Sequence, residues 1–288
     1  MATMRQIRTR IKVAGNIAQI TRAMKMVAAA RLKRAQDRVI AARPFVERMT
    51  DVVADLTRAM PDAQAHPLTE ERPVRTTGVV IISADRGLCG SYNSGIIRRT
   101  VELLDEGSHR ELRLMAIGRK GASFFARRGH KLDDIPQVSA GAAAYHEASA
   151  LADCLRERFE SGVLDEVLVV YTRFASVISQ HPVVERVLPI QPPVASEADT
   201  ASTRCIFEPD AATLVGSLLP RYLTTRVYYA LLESAASEHG ARMTAMSAAT
   251  DNASKMISAL TLSLNRARQA AITKEISEIV SGAEALKS

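Results

Sequence analysis

The sequence has no tryptophan, and aromatic residues make up only 4% of its 288 residues. Alanine, leucine, isoleucine, valine and methionine supply most of its apolar content instead. Such small and aliphatic side chains suit close contact between helices better than a wide β-sandwich core. No apolar run approaches the roughly 18 residues that a membrane-spanning helix needs. We therefore expect a soluble or peripheral protein that is rich in packed helices.

Cysteine is also scarce, and its spacing argues against a disulfide framework. The three cysteines, Cys89, Cys154 and Cys205, are odd in number and far apart, which fits a reduced, cytoplasmic-type compartment. The sequence contains no C-x-x-C motif, and its six histidines show no H-E-x-x-H or H-x-x-E-H spacing. These absences predict a chain with no metal site and no cofactor.

Proline is missing from both ends of the chain. All eleven prolines lie between Pro44 and Pro220, so residues 1–43 and 221–288 are free of them. Because proline breaks or kinks a helix, the two ends are able to form long helices and the middle is not.

Both ends carry one apolar stripe at helical spacing. In the first segment the stripe follows steps of mostly three and four, with Thr21 filling one gap: Met4, Ile7, Ile11, Ala14, Ala18 (or Ile17), Met24, Val27 or Ala28, Leu32, Ala35 and Val39. In the last segment the stripe has near-heptad spacing and consists of Met246, Ala249, Ala253, Ile257, Leu260, Leu264, Ala267 and Ala271. Ile276 and Ile279 extend it. A helix with one apolar stripe needs a partner, and each end offers the other.

Helix length sets the expected architecture. At 1.5 Å per residue, a helix from Arg221 to Glu284 is roughly 95 Å long. A compact domain of this chain length is only about 40–50 Å across. We therefore expect the two ends to project as a long antiparallel two-helix coiled coil.

The middle of the chain alternates strand and helix patterns. Strands are predicted at 78–83, 112–117, 166–171 and 183–190, with helices at 94–104, 120–127 and 144–159 between them. This alternation predicts a small three-layer α/β domain with a mostly parallel sheet. The predicted organisation is an N-terminal coiled-coil helix at 1–60, a central domain at 74–208 and a C-terminal coiled-coil helix at 209–288.

Positive charge is concentrated at the start of the chain. Residues 1–43 contain eleven lysines and arginines and one acid, Asp37, whereas the whole chain has a net charge of +7. We expect this helix to face something acidic. An organelle transit peptide is disfavoured, since the helical pattern runs on without a cleavage site. A basic coiled coil that binds nucleic acid is the second hypothesis, although aromatic residues for base stacking are missing.

The loop Ser83–Asn93 follows a strand and opens a helix, where α/β proteins commonly bind phosphates. It lacks the G-x-G-x-x-G spacing and has no P-loop lysine, so a nucleotide-dependent enzyme is only the third hypothesis. The alternative is a tight turn that packs against its own chain or contacts a partner. Cys89 in this loop is interpreted as a small packed hydrophobe rather than a nucleophile.

Three separated motifs resemble those of one family, the gamma subunits of F-type ATP synthases. Ile20–Leu32 (ITRAMKMVAAARL) is similar to the N-terminal helix signature of that family. Ala248–Ala253 (AATDNA) and Asn265–Ile276 (NRARQAAITKEI) are similar to the C-terminal signature. Ser83–Asn93 (SADRGLCGSYN) resembles the central S-x-D-R-G-L-C-G motif, and the order of the motifs is that of the family.

The resemblance implies a rotor subunit with no catalytic site of its own. Its terminal helices would lie inside a hexamer of three alpha and three beta subunits, where the catalytic sites belong to beta. Its central domain would meet the epsilon subunit and the ring of proton-carrying c subunits. The implied partners are these proteins and no nucleic acid, with membrane association only through the complex. The implied location is the cytoplasmic side of a bacterial inner membrane.

The same resemblance assigns functional positions. Arg242, Gln269 and Thr273 match polar positions that bond to beta-subunit loops, and Lys25 and Met24 match positions that face acidic beta loops. Met24 is equally well interpreted as a residue of the helix seam. In the central motif loop, the matching residues are Asp85, Arg86, Gly87 and Gly90. The segment 13–16 departs from the polar family pattern, and its Gly15 weakens the helix by about 1 kcal/mol relative to alanine.

Overall fold

The computed structural model describes residues 3–59, 66–106, 111–141, 143–177, 179–191 and 211–285. Cys205 and the predicted boundary at 208/209 lie outside these ranges. The chain divides into two compact units. The two-helix unit comprises Met1–Ala28 and Met243–Ser288, and the sheet unit comprises Ala29–Arg242.

Two long helices contribute to both units. Helix α1 spans Met4–Ala59 and contains Pro44, while helix α5 spans Ala211–Ala285 and contains Pro220. Each helix therefore continues through a proline and extends beyond the residues that its apolar stripe covers. An interior proline costs about 3 kcal/mol in lost hydrogen bonding and steric clash. The residues beyond each proline offset that cost through burial, as Val53 and Leu219 show.

The helices of the two-helix unit run antiparallel. Thr21 Oγ1 lies 2.7 Å from Thr250 Oγ1, and four residues later along α1, Lys25 Nζ donates to Ser247 Oγ at 3.0 Å. Thr21, the polar residue in the predicted apolar stripe, is buried and bonded across the seam. The predicted pairing of the two chain ends is confirmed, and so is the fold class.

Burial along α5 follows the predicted stripe but stops before its end. Met246 and Ala253 are buried, and every other predicted stripe position from Ala249 to Ala271 is half-buried. Ile276 and Ile279 are exposed, so the prediction that they extend the seam is wrong. The antiparallel register accounts for this difference, because it places these residues beyond the described start of α1.

The sheet unit contains four strands. They are β1 (Thr76–Ile82), β2 (Glu111–Ile117), β3 (Glu166–Phe174) and β4 (Gln180–Leu188), arranged in the order β2-β1-β3-β4. Strand β1 pairs in parallel with both β2 and β3, whereas β4 pairs antiparallel with β3. The sheet is therefore mostly parallel, as predicted, with one antiparallel edge.

Helices cover both faces of this sheet. Helices α2 (Tyr92–Glu106) and α3 (Arg119–Arg127) pack on the face that includes Val79 and Ile81. Helix α4 (Tyr145–Glu160), together with parts of α1 and α5, packs on the face that includes Val80 and Ile82. Because neighbouring residues of a strand point to opposite faces, the continuous apolar run of β1 serves two cores at once.

Strand β3 extends past the end of its pairing with β1, and α5 covers the exposed backbone. Thr172 pairs with Pro182 of the edge strand β4, where proline is tolerated. Ser237 Oγ donates to the Thr172 carbonyl at 3.1 Å, and Ser234 Oγ accepts from its N–H at 3.5 Å. Two serines of α5 therefore replace a strand partner.

The seam offers a direct test of helix pairing. Leu264 is half-buried, and the antiparallel register places it level with the buried Ile7. Leu264→Asp introduces a poorly solvated charge into the seam. We expect the free energy of unfolding, measured by urea denaturation, to fall by about 2–3 kcal/mol.

The matched control is two residues away. Leu262 is 53% exposed on the same helix, so Leu262→Asp should change the free energy of unfolding by less than about 0.5 kcal/mol. Equal losses for the two variants would contradict the seam assignment.

Candidate partner-binding surfaces

The loop after β1 is tied to the neighbouring strand and helix by Ser83. The Ser83 hydroxyl lies 3.0 Å from the Ile117 carbonyl at the end of β2 and accepts the Gly121 N–H of α3 at 2.8 Å. The backbone of Ser83 also donates to Ile117, at 2.8 Å. One buried serine therefore joins the carboxyl ends of two parallel strands to the start of a helix.

The close approach at this junction requires glycine at position 118. Gly118 has a φ of +86°, and a Cβ there would lie 1.9 Å from the Ser83 carbonyl oxygen. Any other residue would clash with the backbone and adopt an unfavourable conformation. The glycine is thus a structural requirement of the Ser83 junction.

The remaining polar groups of the motif bond within or beside the loop. Asp85 accepts the Arg119 N–H at the start of α3 at 3.2 Å. The Asn93 side chain accepts the Ala84 N–H at 3.0 Å and donates to Cys89 Sγ at 3.1 Å. These contacts favour the interpretation of the motif as a tight, internally held turn.

The tip of this turn presents exposed side chains. Asp85, Arg86 and Leu88 are exposed, with Leu88 at 63%. Leu88 also has a φ of +62°, in the left-handed region that costs an L-residue with a Cβ about 1–2 kcal/mol. A strained and exposed leucine is retained only where the surrounding structure fixes it, which makes the tip a candidate contact surface.

Arg242 of α5 reaches the same loop. Its Nη1 donates to Glu238 Oε1 at 2.7 Å, and its Nη2 donates to the Gly87 carbonyl at 3.4 Å. Burial raises the pKa of Glu238, and the adjacent Arg242 guanidinium opposes that rise. The structure therefore brings together Arg242 and Gly87, which are far apart in sequence.

His239 belongs to the same turn of α5. Its ring is buried, and burial together with the Arg242 and Arg31 charges lowers the pKa to about 4. Its Nδ1 lies 3.4 Å from Arg242 Nη1, and the ring also bonds to the Gly141 backbone. A neutral imidazole at physiological pH can accept from the arginine and donate to the backbone at the same time.

Sequence reasoning missed Glu238 and His239. The available signal was the i, i+4 spacing of Glu238 and Arg242 on a helix, which favours an ion pair. That spacing is common on solvated helix surfaces, so burial could not be inferred from it.

The Cys89 thiol is buried and bonded locally. Burial raises its pKa, with Arg242 opposing the effect. A thiol that resists ionisation is a poor nucleophile. This supports the interpretation of Cys89 as a small packed residue.

The other predicted contact residues lie in the two-helix unit. Met24 is half-buried on the seam side of α1, while Lys25 is exposed and bonded to Ser247. Gln269 and Thr273 are exposed on α5, four residues apart and hence on one face of the helix. The roles assigned to all of them, and to Arg242, stay predictions.

A second polar cluster lies between α5 and the sheet, around Glu233. Glu233 is buried, its Oε2 lacks a hydrogen-bond partner, and burial raises its pKa to about 7. On the neighbouring strand, Glu185 accepts from Tyr171 at 2.8 Å and from Arg226 at 2.9 Å. The groups that act on Glu233 come from α1, β3, β4 and α5: Arg43, Arg173, Glu185 and Tyr229.

Within the described ranges, no group of three or more histidine, cysteine or acidic side chains is arranged to hold a metal ion. Among the helices described, none is both long and apolar enough to cross a membrane.

The fold is that of a central-stalk subunit, with paired terminal helices and a small α/β domain. The family model described as ATP synthase matches residues 3–286, and the chain belongs to this family. Its curated relatives are gamma chains. That of Desulfitobacterium hafniense is 50% identical over 289 residues, and that of Moorella thermoacetica is 49% identical over 294 residues, each covering both chains completely.

Solved structures show the same architecture. A chain of the Tetrahymena thermophila mitochondrial ATP synthase, from a central stalk and c-ring structure, is 26% identical with a TM-score of 0.59. The match covers 80% of this chain and 99% of that one. A chain of the Euglena gracilis mitochondrial ATP synthase matches in fold at 18% identity, with a TM-score of 0.64. That match covers 98% of this chain and 94% of the other.

The Glu233 cluster predicts a pH dependence of stability. Because the folded-state pKa of Glu233 is raised from 4.5 to about 7, stability falls as the pH rises between these values. Glu233→Gln removes that penalty. Relative to the parent chain, we expect the variant to gain up to about 3 kcal/mol in free energy of unfolding between pH 5 and pH 8.

Urea denaturation at both pH values measures this difference. Glu157→Gln, at an exposed position of α4, is the matched control and should track the parent chain at both values. A Glu233→Gln variant whose stability followed the same pH profile as the parent would refute the assignment.

Proposed function

We propose that this chain is the central-stalk rotor of an F-type ATP synthase. It transmits rotation between the proton-driven membrane ring and the catalytic alpha/beta hexamer. Proton flow is thereby coupled to ATP synthesis or hydrolysis. The observation that carries the proposal is the antiparallel pairing of the two chain ends, in a family whose relatives are ATP synthase gamma chains.

A pair of helices joined along a continuous seam suits torque transmission. A single helix with one apolar stripe is marginal in water, whereas the paired helices bury their stripes and stiffen each other. An asymmetric shaft also gives three identical sites three different surroundings. A subunit shifts the states of such sites only by contacting them differently.

The chain works as a subunit of the complex, and we propose that it contributes no catalytic site. The polar groups of the loop at the end of β1 bond to the fold itself, as Ser83, Asp85 and Asn93 do. The proposed partners are three alpha and three beta subunits, the epsilon subunit and the ring of c subunits. The proposed location is the cytoplasmic face of a bacterial inner membrane, with attachment through the complex.

The proposed contacts with beta subunits include exposed polar side chains of the two-helix unit. Lys25, Gln269 and Thr273 are accessible for such contacts. Met24 is half-buried, so we propose that it packs in the seam and leaves part of its side chain for a partner contact. The organisation into a helix at 1–60, a domain at 74–208 and a helix at 209–288 is likewise a proposal.

Assembly is the first test of this function. Co-expressed with alpha and beta subunits, the chain should copurify as one copy per hexamer, and mass measurement of the intact complex should show that ratio. The complex should persist at moderate salt, whereas binding to nucleic acid would weaken steeply as salt rises. Failure to form the complex, with salt-sensitive DNA binding in its place, would overturn the proposal.

Two exposed side chains test the predicted beta contacts. A Gln269→Ala, Thr273→Ala double variant loses two interface hydrogen bonds of about 1 kcal/mol each. We expect assembly to persist and ATP hydrolysis by the complex to fall by up to about thirtyfold.

Thr261→Ala is the matched control, since Thr261 is exposed on the same helix and the resemblance assigns it no role. An unaltered hydrolysis rate in the double variant would remove Gln269 and Thr273 from the contact surface.

A further inference from the structure

We propose that Glu238 and Arg242 form a latch that holds the motif loop, residues 83–91, in the conformation that presents Leu88. In this role Arg242 is a positioning residue, acting through the loop that it holds. The consequence for the complex rests on the proposed function, whereas the latch itself is a property of the sheet unit.

The latch is a buried ion pair. The side chains of Arg242 and Glu238 are only 12% and 7% exposed, and their closest nitrogen and oxygen are 2.7 Å apart. Removing either partner would leave the other charge buried and uncompensated. The Glu238 carboxylate therefore fixes the guanidinium in place, and the second nitrogen of that rigid fork points at the Gly87 carbonyl.

The bond from Arg242 to Gly87 lies where it can fix the conformation of the loop tip. Ser83 and Asn93 hold the two ends of the loop, whereas the Arg242 bond reaches Gly87 at its tip. Leu88, the next residue, has the strained positive φ and the exposed side chain. A strained residue keeps its conformation only where its neighbours fix it, and the Gly87 bond supplies such a constraint.

The same turn of α5 also holds a second loop. His239 bonds to the Gly141 backbone, and its neutral ring accepts from Arg242. A Cβ built on Gly141 would lie 4.0 Å from Glu238 Oε2, so that loop passes directly against the latch carboxylate. One helical turn thus contacts two loops, the one after β1 and the one between α3 and α4.

The latch lies where α5 leaves the sheet unit, because Arg242 is the last residue of that unit. In the proposed rotor, the latch thereby fixes the surface presented at Leu88.

Cys89 provides a local reporter of loop opening. The thiol is 2% exposed and two residues from Gly87, so an uncharged maleimide reaches it only when the loop opens. Labelling of the full chain in native buffer is followed by mass spectrometry of the Cys89 peptide. Arg242→Ala should accelerate labelling by roughly tenfold or more, the equivalent of losing a charge-assisted hydrogen bond.

The loss of the Arg242 charge would by itself slow the labelling of Cys89 rather than accelerate it. The Arg242 charge opposes the raised pKa of Cys89, so removing that charge leaves less reactive thiolate. Acceleration in Arg242→Ala therefore reports opening of the loop.

Conservative variants separate a latch from general packing. Arg242→Lys keeps the charge opposite Glu238 but lacks the planar fork, so it should retain stability while labelling faster than the parent chain. Glu238→Gln also releases the arginine, but it removes a charge that raises the pKa of Cys89, so faster labelling in that variant does not by itself report loop opening and Arg242→Ala is the deciding variant. Arg221→Ala, at an exposed position of the same helix, should leave the labelling rate unchanged.

Amide hydrogen exchange of β1 monitors unfolding of the sheet unit in the same samples. The proposal requires Cys89 labelling to accelerate more than exchange at Val79 and Ile81, which lie in the core beside the loop. An unchanged labelling rate in Arg242→Ala would overturn it, and so would acceleration in proportion to β1 exchange.

The test is independent of the rotor proposal because it uses the chain alone. In the assembled complex, Arg242→Lys should additionally lower ATP hydrolysis relative to Arg221→Ala. A chain that shows latch behaviour but does not assemble would count against the proposed function and leave the latch standing. A chain that assembles without the labelling effect would refute the latch alone.

Discussion

The structure depends first on the burial of two apolar stripes against each other, one from each end of the chain. Within the two-helix unit, neither helix has a second buried face, so each depends on the other for stability. The seam is lined by alanine and by alternating larger residues such as Ile7 and Met246, which lets the helix backbones approach closely. One polar pair, Thr21 with Thr250, lies within it and satisfies its own hydrogen bonds. A rotor needs such stiffness, because torque cannot pass through a segment that yields.

The sheet unit is organised differently, since its two apolar cores are accompanied by polar groups that the fold removes from water. Glu238 is paired with an arginine, whereas Glu233 keeps an oxygen without a partner and a pKa near neutrality. Desolvation dominates both carboxyls, and the nearby cations decide how far each is compensated. These groups lie on the part of α5 that packs against strands and loops. They hold this part of α5 against the strands and loops of the same unit through specific contacts as well as through apolar surface.

Periodic features of the sequence predicted most of the fold. The stripes of α1 and α5, the four strands and the three shorter helices follow from spacing and from turn residues, which act locally. The ends of elements were less predictable. Both long helices continue through Pro44 and Pro220, and β4 begins before Pro182, since packing and an edge position compensate for what proline removes. Ile276 and Ile279 continue the apolar spacing of α5 but are exposed, because they lie beyond the described start of α1.

The sequence by itself determined the pairing of the chain ends and the family, because helical period and motif order are written in consecutive residues. It also located the motif loop and the matching positions Gln269 and Thr273. Only the tertiary structure decided that Arg242 meets Gly87, that His239 is buried and neutral, and that Glu233 faces Glu185 across an element boundary. Those outcomes depend on which side chains lose water when distant segments meet. The desolvation of a polar side chain depends on these tertiary contacts, so it cannot be inferred from the local sequence pattern.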